Sequence, residues 1–176
     1  MTAHGLVQAY TGDGKGKSTA AMGLAVRAAG HGRRVTVVTF FKDPEALGGG
    51  EFSLLPRMGI EVHHFARKHP QLNPGVTRDE ASAQCRSGLQ FVMKLWAADC
   101  CDVLVLDEIL VAARDGFLAT EELVSLIAAK PEGMELVLTG RGMPDELLPV
   151  VDLVSEIRKV KHPFDSGVQG RKGMEY

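Results

Sequence analysis

A glycine-rich loop near the start of the chain constrains its fold more than any other feature. Residues 10–19 read Tyr-Thr-Gly-Asp-Gly-Lys-Gly-Lys-Ser-Thr. The order is one residue short of the phosphate-binding pattern G-x-x-x-x-G-K-[ST], since Thr11 stands where the first glycine is expected and Gly12 follows it. An apolar run at residues 6–10 leads into the loop, and an alanine-rich segment leads out of it. The sequence therefore predicts a strand, a phosphate-binding loop and a helix in succession.

The loop contains the groups that a polyphosphate requires. Gly12, Gly14 and Gly16 allow successive backbone N–H groups to turn toward one anion, and the helix N-terminus adds partial positive charge. Lys17 supplies a cation for phosphate oxygens, and Ser18 supplies a hydroxyl for Mg²⁺. A glycine turn before an ordinary helix is the alternative, but it does not account for the Gly-Lys-Ser ending. We therefore predict nucleotide binding.

Apolar runs and helical stretches alternate along the rest of the chain. We predict strands at residues 6–10, 35–40, 60–65, 103–106, 135–138 and 153–157, and helices at residues 17–29, 52–58, 78–98, 119–129 and 145–150. This alternation indicates βα units and a largely parallel sheet. A length of 176 residues favours a single domain over residues 1–176.

Charge and apolar patterning exclude several classes of protein. A net charge of −2 argues against a general affinity for nucleic acid or anionic membranes. No apolar run approaches the ~18 residues of a membrane span, and residues 1–5 lack the apolar region of a signal peptide. We therefore predict a cytoplasmic protein without a nucleic-acid or membrane partner. The tail at residues 158–176 is an exception with a net charge of +3, and it is either a solvated end or a segment that closes over an anionic ligand.

Two carboxylates follow the apolar strand predicted at residues 103–106. Asp107 and Glu108 would lie beside the phosphate loop, where one of them could share a metal ion with Ser18. Mg²⁺ favours carboxylate, hydroxyl, water and phosphate oxygens. The alternative is that the Asp-Glu pair caps the next helix, but the loop upstream makes metal binding the better interpretation.

Further polar groups are expected at the same edge of the sheet. Residues 138–142, Leu-Thr-Gly-Arg-Gly, place Arg141 at a strand end, where its planar guanidinium suits phosphate; a surface arginine in a turn is the alternative. Residues 42–50 and 66–76 are predicted loops. Ligands of open α/β sheets bind beyond the carboxyl ends of the strands, so we expect these loops to close over a second substrate.

The cysteines and histidines do not predict a metal centre. Three cysteines provide no disulfide framework. His63 and His64 would point to opposite faces of one strand, and no cysteine lies near them in the sequence, so we do not predict a zinc site that combines them with His69.

Several of these segments together resemble the P-loop class of ATP:corrinoid adenosyltransferases. The similarity covers the short loop at residues 11–23, Phe-Phe-Lys at 40–42, Gly-Glu at 50–51, Val-Leu-Asp-Glu at 105–108 and the segment 138–142. It is most specific in the tail, where Val-Lys-His-Pro-Phe-Asp-Ser-Gly precedes Arg-Lys-Gly-Met-Glu-Tyr. The segments follow one another in the same order along nearly the whole chain.

The resemblance implies a three-layer, P-loop NTPase-like (RecA-like) α/β fold and a reaction. The 5′-deoxyadenosyl group of ATP would pass to the cobalt(I) of a reduced corrinoid, with release of triphosphate. The acceptor would be cob(I)alamin, cobinamide or cobyrinic acid a,c-diamide. Mg²⁺ or Mn²⁺, a flavin-type reductant and a homodimer are also implied. In this family the triphosphate lies in the loop in the reverse sense to most P-loop proteins, which exposes the ribose 5′-carbon.

The resemblance also implies roles for individual residues. Lys15, Lys17 and Arg141 would be the catalytic groups, since they would stabilise charge on the leaving triphosphate. The metal ion would be held by Ser18 and Glu108, with Asp107 beside them. The nucleotide would be bound by Gly12, Asp13, Gly14, Lys15, Gly16, Lys17, Ser18, Thr19, Arg141, His162 and Phe164.

One segment departs from the family pattern. Related sequences usually carry a Phe-x-Trp type of segment after the third strand, which helps to seat the corrin and to remove its lower axial ligand. Residues 65–77 contain no tryptophan, so another side chain performs that role, the corrinoid is different, or turnover is weak. This segment therefore leaves one other function open, a nucleotide-dependent corrinoid-binding or regulatory protein. A P-loop phosphohydrolase or kinase is a further alternative, against which the short loop and the absence of an obvious water-positioning residue speak.

Overall fold

A parallel sheet forms the centre of the fold. The structure is a computed structural model that describes residues 4–45 and 50–174. The strands are β1 (Val7–Thr11), β2 (Val35–Phe40), β3 (Glu61–Phe65), β4 (Val103–Asp107), β5 (Glu135–Thr139) and β6 (Leu153–Glu156). They follow the order β3-β2-β4-β5-β1-β6, and each pair of neighbours is parallel. The predicted parallel sheet is confirmed.

Helices cover both faces of this sheet. The α-helices in the described residues are α1 (Lys17–Gly30), α2 (Gly50–Leu54), α3 (Arg78–Ala97), α4 (Ile109–Arg114) and α5 (Thr120–Ala128); 3₁₀-helices lie at Leu55–Met58, Asp145–Val150 and Pro163–Ser166. Apolar side chains of α1 and α2 pack on one face, and those of α3, α4 and α5 pack on the other. None of the helices in the described ranges is long and apolar enough to cross a membrane.

The central strand β4 contributes side chains to the hydrophobic cores on both faces of the sheet. Val103 and Val105 belong to the core beneath α1 and α2, whereas Leu104 and Leu106 belong to the core beneath α3, α4 and α5. Because successive side chains of a strand point to opposite faces, a doubly covered strand must be apolar at every position. This is why the strand lacks alternation in its sequence.

The helical predictions needed three corrections. The helix predicted at residues 52–58 is α2 followed by a 3₁₀-helix, since an α-helix through Pro56 would lose a hydrogen bond and clash with the preceding turn. The segment Asp145–Val150 is also 3₁₀ and contains Pro149. Helix α4 was missed because all of its residues except Arg114 are buried, and a buried helix has no polar face that would reveal its period.

The strand order brings three strand ends together. Strand β5 pairs with β1 on one side and with β4 on the other. The loop after β1, the carboxylates at the end of β4 and the turn after β5 therefore meet at one edge of the sheet. Strand β2 lies on the far side of β4, so the chain that follows β2 joins the same edge.

Two helical glycines provide a test of the packing between α3 and the sheet. A Cβ atom at Gly88 would lie 2.7 Å from the Phe40 ring, whereas a Cβ atom at Gly23 in α1 would meet nothing within 4 Å. Since Phe40 is fully buried, we expect Gly88→Ala to lower the free energy of unfolding by about 1–3 kcal/mol. Gly23→Ala should raise it by about 0.5–1 kcal/mol through helix propensity alone.

Urea denaturation of both variants measures the difference. The two substitutions are chemically identical, so helix propensity cancels between them and the remaining gap reports the contact with Phe40. Equal stabilisation by both would contradict the close packing of α3 on β2.

Candidate functional site

The predicted phosphate loop forms one wall of a cleft of about 280 Å³, which we call the phosphate cleft. Gly16 is the N-cap residue of α1 and has a φ of 124°, a backbone conformation that favours glycine. Besides residues 14–19 of the loop, the cleft is lined by Lys42, Glu51, Glu108, Arg141, His162 and Met174. The structure thus brings predicted residues from the loop, β4, β5 and the tail together.

The chain after β6 packs against the loop and explains two of its glycines. A Cβ atom at Gly12 would lie 2.4 Å from the carbonyl oxygen of Ile157, and one at Gly14 would lie 2.7 Å from it. The Gly14 N–H donates to that oxygen at 2.7 Å. The prediction that all three glycine N–H groups turn toward one anion is therefore wrong for Gly14. Gly12 and Gly14 allow the start of the tail to approach the loop.

The charged residues of the loop already have partners within the protein. The Lys17 ammonium is nearly buried and donates to the carbonyl oxygen of Gly14 at 2.7 Å. Burial lowers the pKa of Lys17, and the charge of Arg141 acts in the same direction. Lys15 donates to the Met174 carbonyl at 2.5 Å, so a tail residue lies directly on the loop.

Asp13 does not line the phosphate cleft. One of its carboxylate oxygens accepts the N–H of Lys159 at 2.9 Å, and this hydrogen bond lowers the pKa of Asp13. The sequence predicted a nucleotide contact at this position. The structure places the side chain on the tail, where it fastens the segment after β6 to the loop.

Asp107 is a fully buried carboxylate with a partner on each oxygen. Oδ1 accepts the hydroxyl of Thr139 at 2.7 Å, and Oδ2 accepts the ammonium of Lys42 at 2.5 Å. The same ammonium lies 2.8 Å from Ser18 Oγ. Asp107 and Ser18 therefore contact one cation, the Lys42 ammonium. The metal ion predicted from the sequence at this place stays a prediction.

Glu108 lines the phosphate cleft from the end of β4. Its backbone has a φ of 64° and its N–H donates to Thr139 Oγ1 at 2.9 Å. Burial raises the pKa of the Glu108 carboxyl, and the neighbouring Asp107 adds to this effect. Although Glu108 occupies the N-cap position of α4, its side chain makes no capping hydrogen bond. The structure therefore gives the helix-cap alternative no support.

The oxygen groups of the cleft suit a hard cation that arrives with phosphate. Ser18 offers a hydroxyl and Glu108 a carboxylate, and Mg²⁺ is commonly bound by one or two such groups together with phosphate oxygens and water. Within residues 4–45 and 50–174, no group of three or more His, Cys, Asp or Glu side chains could hold a metal ion.

Arg141 and His162 reach the phosphate cleft, whereas Phe164 does not line it. Arg141 lines the cleft directly after Gly140. Gly140 has a φ of 144°, and a Cβ atom there would lie 2.8 Å from Leu110, so this turn requires glycine. His162 accepts the Phe164 N–H through Nδ1 at 3.2 Å. The Phe164 ring is 69% exposed, so its predicted contact with the nucleoside requires the nucleoside to extend out of the cleft.

A second cleft of about 250 Å³ adjoins the first and shares Lys42 and Glu108 with it. Its remaining lining comes from Phe41, His69, Gln71, Leu72, Val111 and Arg114. The segment 66–76 therefore borders a ligand-sized cleft, as expected for a loop at this edge of the sheet. Of the other predicted loop, residues 46–49 lie outside the described residues.

His69, which lines the second cleft, stabilises the surrounding structure through hydrogen bonds and ring packing. Its Nδ1 accepts the N–H of Gln71 at 3.2 Å, so Nε2 carries the proton that is donated to Asp115 at 3.0 Å. The ring packs against Phe41 and Phe117 with centroid distances of 4.9 and 5.1 Å. Both nitrogens are engaged, so His69 stabilises the loop and has no lone pair directed at a ligand.

A third, apolar cavity of about 580 Å³ lies on the other side of the phosphate cleft, beside α1. Met22, Val26, Leu55 and Met58 supply its apolar walls. Thr19, Glu51 and Met174 belong to both spaces. The sequence did not predict this cavity, because its walls come from three separated segments.

Comparison with known proteins gives a consistent result along the whole chain. The family model for "ATP:corrinoid adenosyltransferase BtuR/CobO/CobP" matches residues 3–176. The corrinoid adenosyltransferase of Escherichia coli K12 and the corrinoid adenosyltransferase CobA of Salmonella typhimurium LT2 are each 37% identical over 172 residues, which is 98% of this chain and 86% of the relative. The corrinoid adenosyltransferase of Pseudomonas aeruginosa PAO1 is 32% identical, with 98% of this chain and 84% of the relative covered.

A solved structure supports the fold. A KaiC-like protein from the archaeon Pyrococcus horikoshii OT3 superposes with a TM-score of 0.57 and 17% identity, covering 90% of this chain and 74% of that chain. At this identity the likeness concerns the fold alone. With the parallel sheet and its two helical layers, it confirms the predicted three-layer, P-loop NTPase-like (RecA-like) α/β fold.

Proposed function

The chain belongs to the ATP:corrinoid adenosyltransferase family and transfers the adenosyl group of ATP to a corrinoid, and we propose that the phosphate cleft holds the triphosphate of ATP while the second cleft receives the corrinoid. One observation carries this assignment. The two clefts adjoin at Lys42 and Glu108, so a group bound across this boundary is accessible from both sides.

The phosphate cleft supplies what a highly anionic leaving group needs. Lys17 and Arg141 line the cleft, together with Lys15 from the outer part of the loop. When cobalt(I) donates its electron pair to the ribose 5′-carbon, the bond from that carbon to the triphosphate oxygen breaks and its electrons stay on the oxygen. Fixed cations stabilise the charge that develops there. Since the nucleophile is the metal centre of the substrate, no protein base is required.

A divalent ion is part of this proposal. Ser18 and Glu108 would hold Mg²⁺ or Mn²⁺ with phosphate oxygens, and the ion would supply further charge neutralisation on the triphosphate. Asp107 is fully buried and would lie beside this ion. The flavin-type reductant, the homodimer, the cytoplasmic location and the single domain stay predictions.

The orientation of the nucleotide follows from the two spaces that adjoin the phosphate cleft. In the reverse sense implied by the family, the ribose 5′-carbon faces Lys42, Glu108 and the second cleft. In the ordinary sense, the nucleoside would extend past Thr19 toward the apolar cavity beside α1. The reverse sense alone places the reacting carbon next to the proposed corrinoid position.

The proposed corrinoid position has apolar contacts that do not depend on tryptophan. Phe41, Leu72 and Val111 border the second cleft, and Leu72 is 81% exposed. A corrin is larger than the cleft, so it would cover the opening with one face. Leu72 would then make the apolar contact that the family's tryptophan segment makes elsewhere.

Removal of the loop lysine tests the role of the phosphate cleft. We expect Lys17→Ala to lower kcat about 10²–10³-fold, because one fixed cation at the leaving group is lost. The assay uses ATP, Mg²⁺ and chemically reduced cob(I)alamin under anaerobic conditions, with the phosphate product identified. Lys94→Ala, on the exposed surface of α3, is the control.

The product identity separates the candidate functions. Stoichiometric triphosphate and a light-sensitive cobalt–carbon product support the transferase mechanism. ADP or phosphate would instead indicate phosphoryl transfer, and wild-type turnover by Lys17→Ala would contradict the assignment of the loop.

Truncation of Leu72 tests the corrinoid position. We expect Leu72→Ala to lower kcat/KM for the corrinoid by about 10- to 150-fold, since a leucine that becomes buried contributes about 1.5–3 kcal/mol. The KM for ATP should not change. Leu148→Ala is the matched control, because Leu148 is also exposed (51%) and lines neither cleft. An unchanged corrinoid kcat/KM in Leu72→Ala would place the acceptor elsewhere.

A further inference from the structure

Lys42 occupies a position that the proposed metal ion also requires. Its ammonium lies 2.8 Å from Ser18 Oγ and 2.5 Å from Asp107 Oδ2. Its side chain is 18% exposed, and that of Asp107 is fully buried. The ammonium therefore neutralises a carboxylate that water does not reach.

A divalent ion and this ammonium cannot bind the same hydroxyl together. Mg²⁺ binds its oxygen ligands at about 2.0–2.1 Å. An ion at that distance from Ser18 Oγ would lie within a few ångströms of the Lys42 nitrogen, where the repulsion between the two charges is strong. Metal binding at Ser18 therefore requires Lys42 to move.

The surroundings of Lys42 give its side chain an alternative position. Lys42 lines both the phosphate cleft and the second cleft, and its nitrogen lies 5.8 Å from the centroid of the Phe52 ring. Glu108 borders both clefts as well. Rotation of the lysine side chain would therefore carry the ammonium from Asp107 to the second cleft while a carboxylate stays nearby.

The charge of Lys42 is maintained in this setting. The Lys42 nitrogen lies 2.5 Å from Asp107 Oδ2, and a carboxylate at this distance favours the protonated form of the amine. The group between Ser18 and Asp107 is thus a permanent cation at neutral pH. A neutral hydrogen-bond donor would not compete with a metal ion in this way.

We propose that Lys42 is a displaceable counter-ion. Its ammonium occupies the position between Ser18 and Asp107 and excludes free divalent ions, and it moves away when a metal ion binds there together with the nucleotide. A free ion would have to break a buried ion pair for only two protein oxygens. A metal–nucleotide complex brings phosphate oxygens that complete its coordination. This inference rests on the metal-dependent function proposed above and adds an order to it: the metal binds with ATP and not before it.

Binding of Mn²⁺ without nucleotide tests the inference independently of turnover. Free Mn²⁺ is followed by its electron paramagnetic resonance signal as each protein is added. We expect Lys42→Met to bind Mn²⁺ about tenfold or more tightly than the wild type, since the competing charge is removed from the carboxylate. Lys42→Arg, which keeps a cation, should behave as the wild type does.

A matched variant controls for net charge. Lys94→Met makes the same substitution on the exposed surface of α3, and we expect the wild-type affinity for Mn²⁺. Equal Mn²⁺ affinity in Lys42→Met, Lys94→Met and the wild type would overturn the inference.

Thermal unfolding provides a second measurement if Lys42→Met folds poorly. Lys42→Gln keeps a hydrogen-bond donor without the charge, on a slightly shorter side chain, and its melting temperature should rise with Mn²⁺ more than that of the wild type. An equal response in both proteins would overturn the inference as well.

A titration of the wild type with Mn²⁺ and ATP together separates two kinds of failure. If the wild type binds Mn²⁺ with ATP but Lys42→Met gains nothing without ATP, only the role of Lys42 is wrong. If adding the wild-type protein to ATP does not increase the amount of bound Mn²⁺ over that bound by ATP alone, the metal site at Ser18 and Glu108 is wrong. The proposed role of Lys42 is then wrong as well.

Discussion

The buried carboxylate of Asp107 is the constraint on which the arrangement of the site depends. A charged group with no exposure to water is stable only when it is paired and hydrogen-bonded. Its partners come from different parts of the chain: Thr139 at the end of β5 and Lys42 after β2. Through Lys42 the network reaches Ser18 in the first turn of α1. The burial of one carboxylate thus fixes the relative positions of three strand ends and the phosphate loop.

The short phosphate loop also packs against the chain that follows β6. Gly12 and Gly14 approach the backbone after β6 at distances that no side chain would allow, and Ile157 exchanges hydrogen bonds with Thr11 and Gly14. Loop and tail therefore form one unit. This connection places His162 and Met174 on the phosphate cleft, more than 140 residues after the loop in the sequence.

Patterns within short segments of the sequence predicted most of the secondary structure. Every strand and the helices α1, α3 and α5 were located, since period and turn residues are properties of short segments. The helix α4 was not, because it is almost entirely buried. Polar residues at predicted strand ends identified Glu108 and Arg141 for the phosphate cleft. The sequence did not reveal the hydrogen bond of Gly14 to Ile157, the pairing of Lys42 with Asp107 or the contact of His69 with Asp115. Each of these joins residues that are distant in sequence. The Phe-Phe-Lys segment, which begins at the last residue of β2, was the available signal for Lys42.

In the proposed function the nucleotide lies with its ribose 5′-carbon toward the second cleft. The most direct measurement is a crystal structure of the protein with ATP and Mg²⁺. We expect the triphosphate on residues 14–19 and the 5′-carbon beside Lys42 and Glu108. A nucleoside bound in the apolar cavity near Met22 and Leu55, with the terminal phosphate at the second cleft, would contradict it.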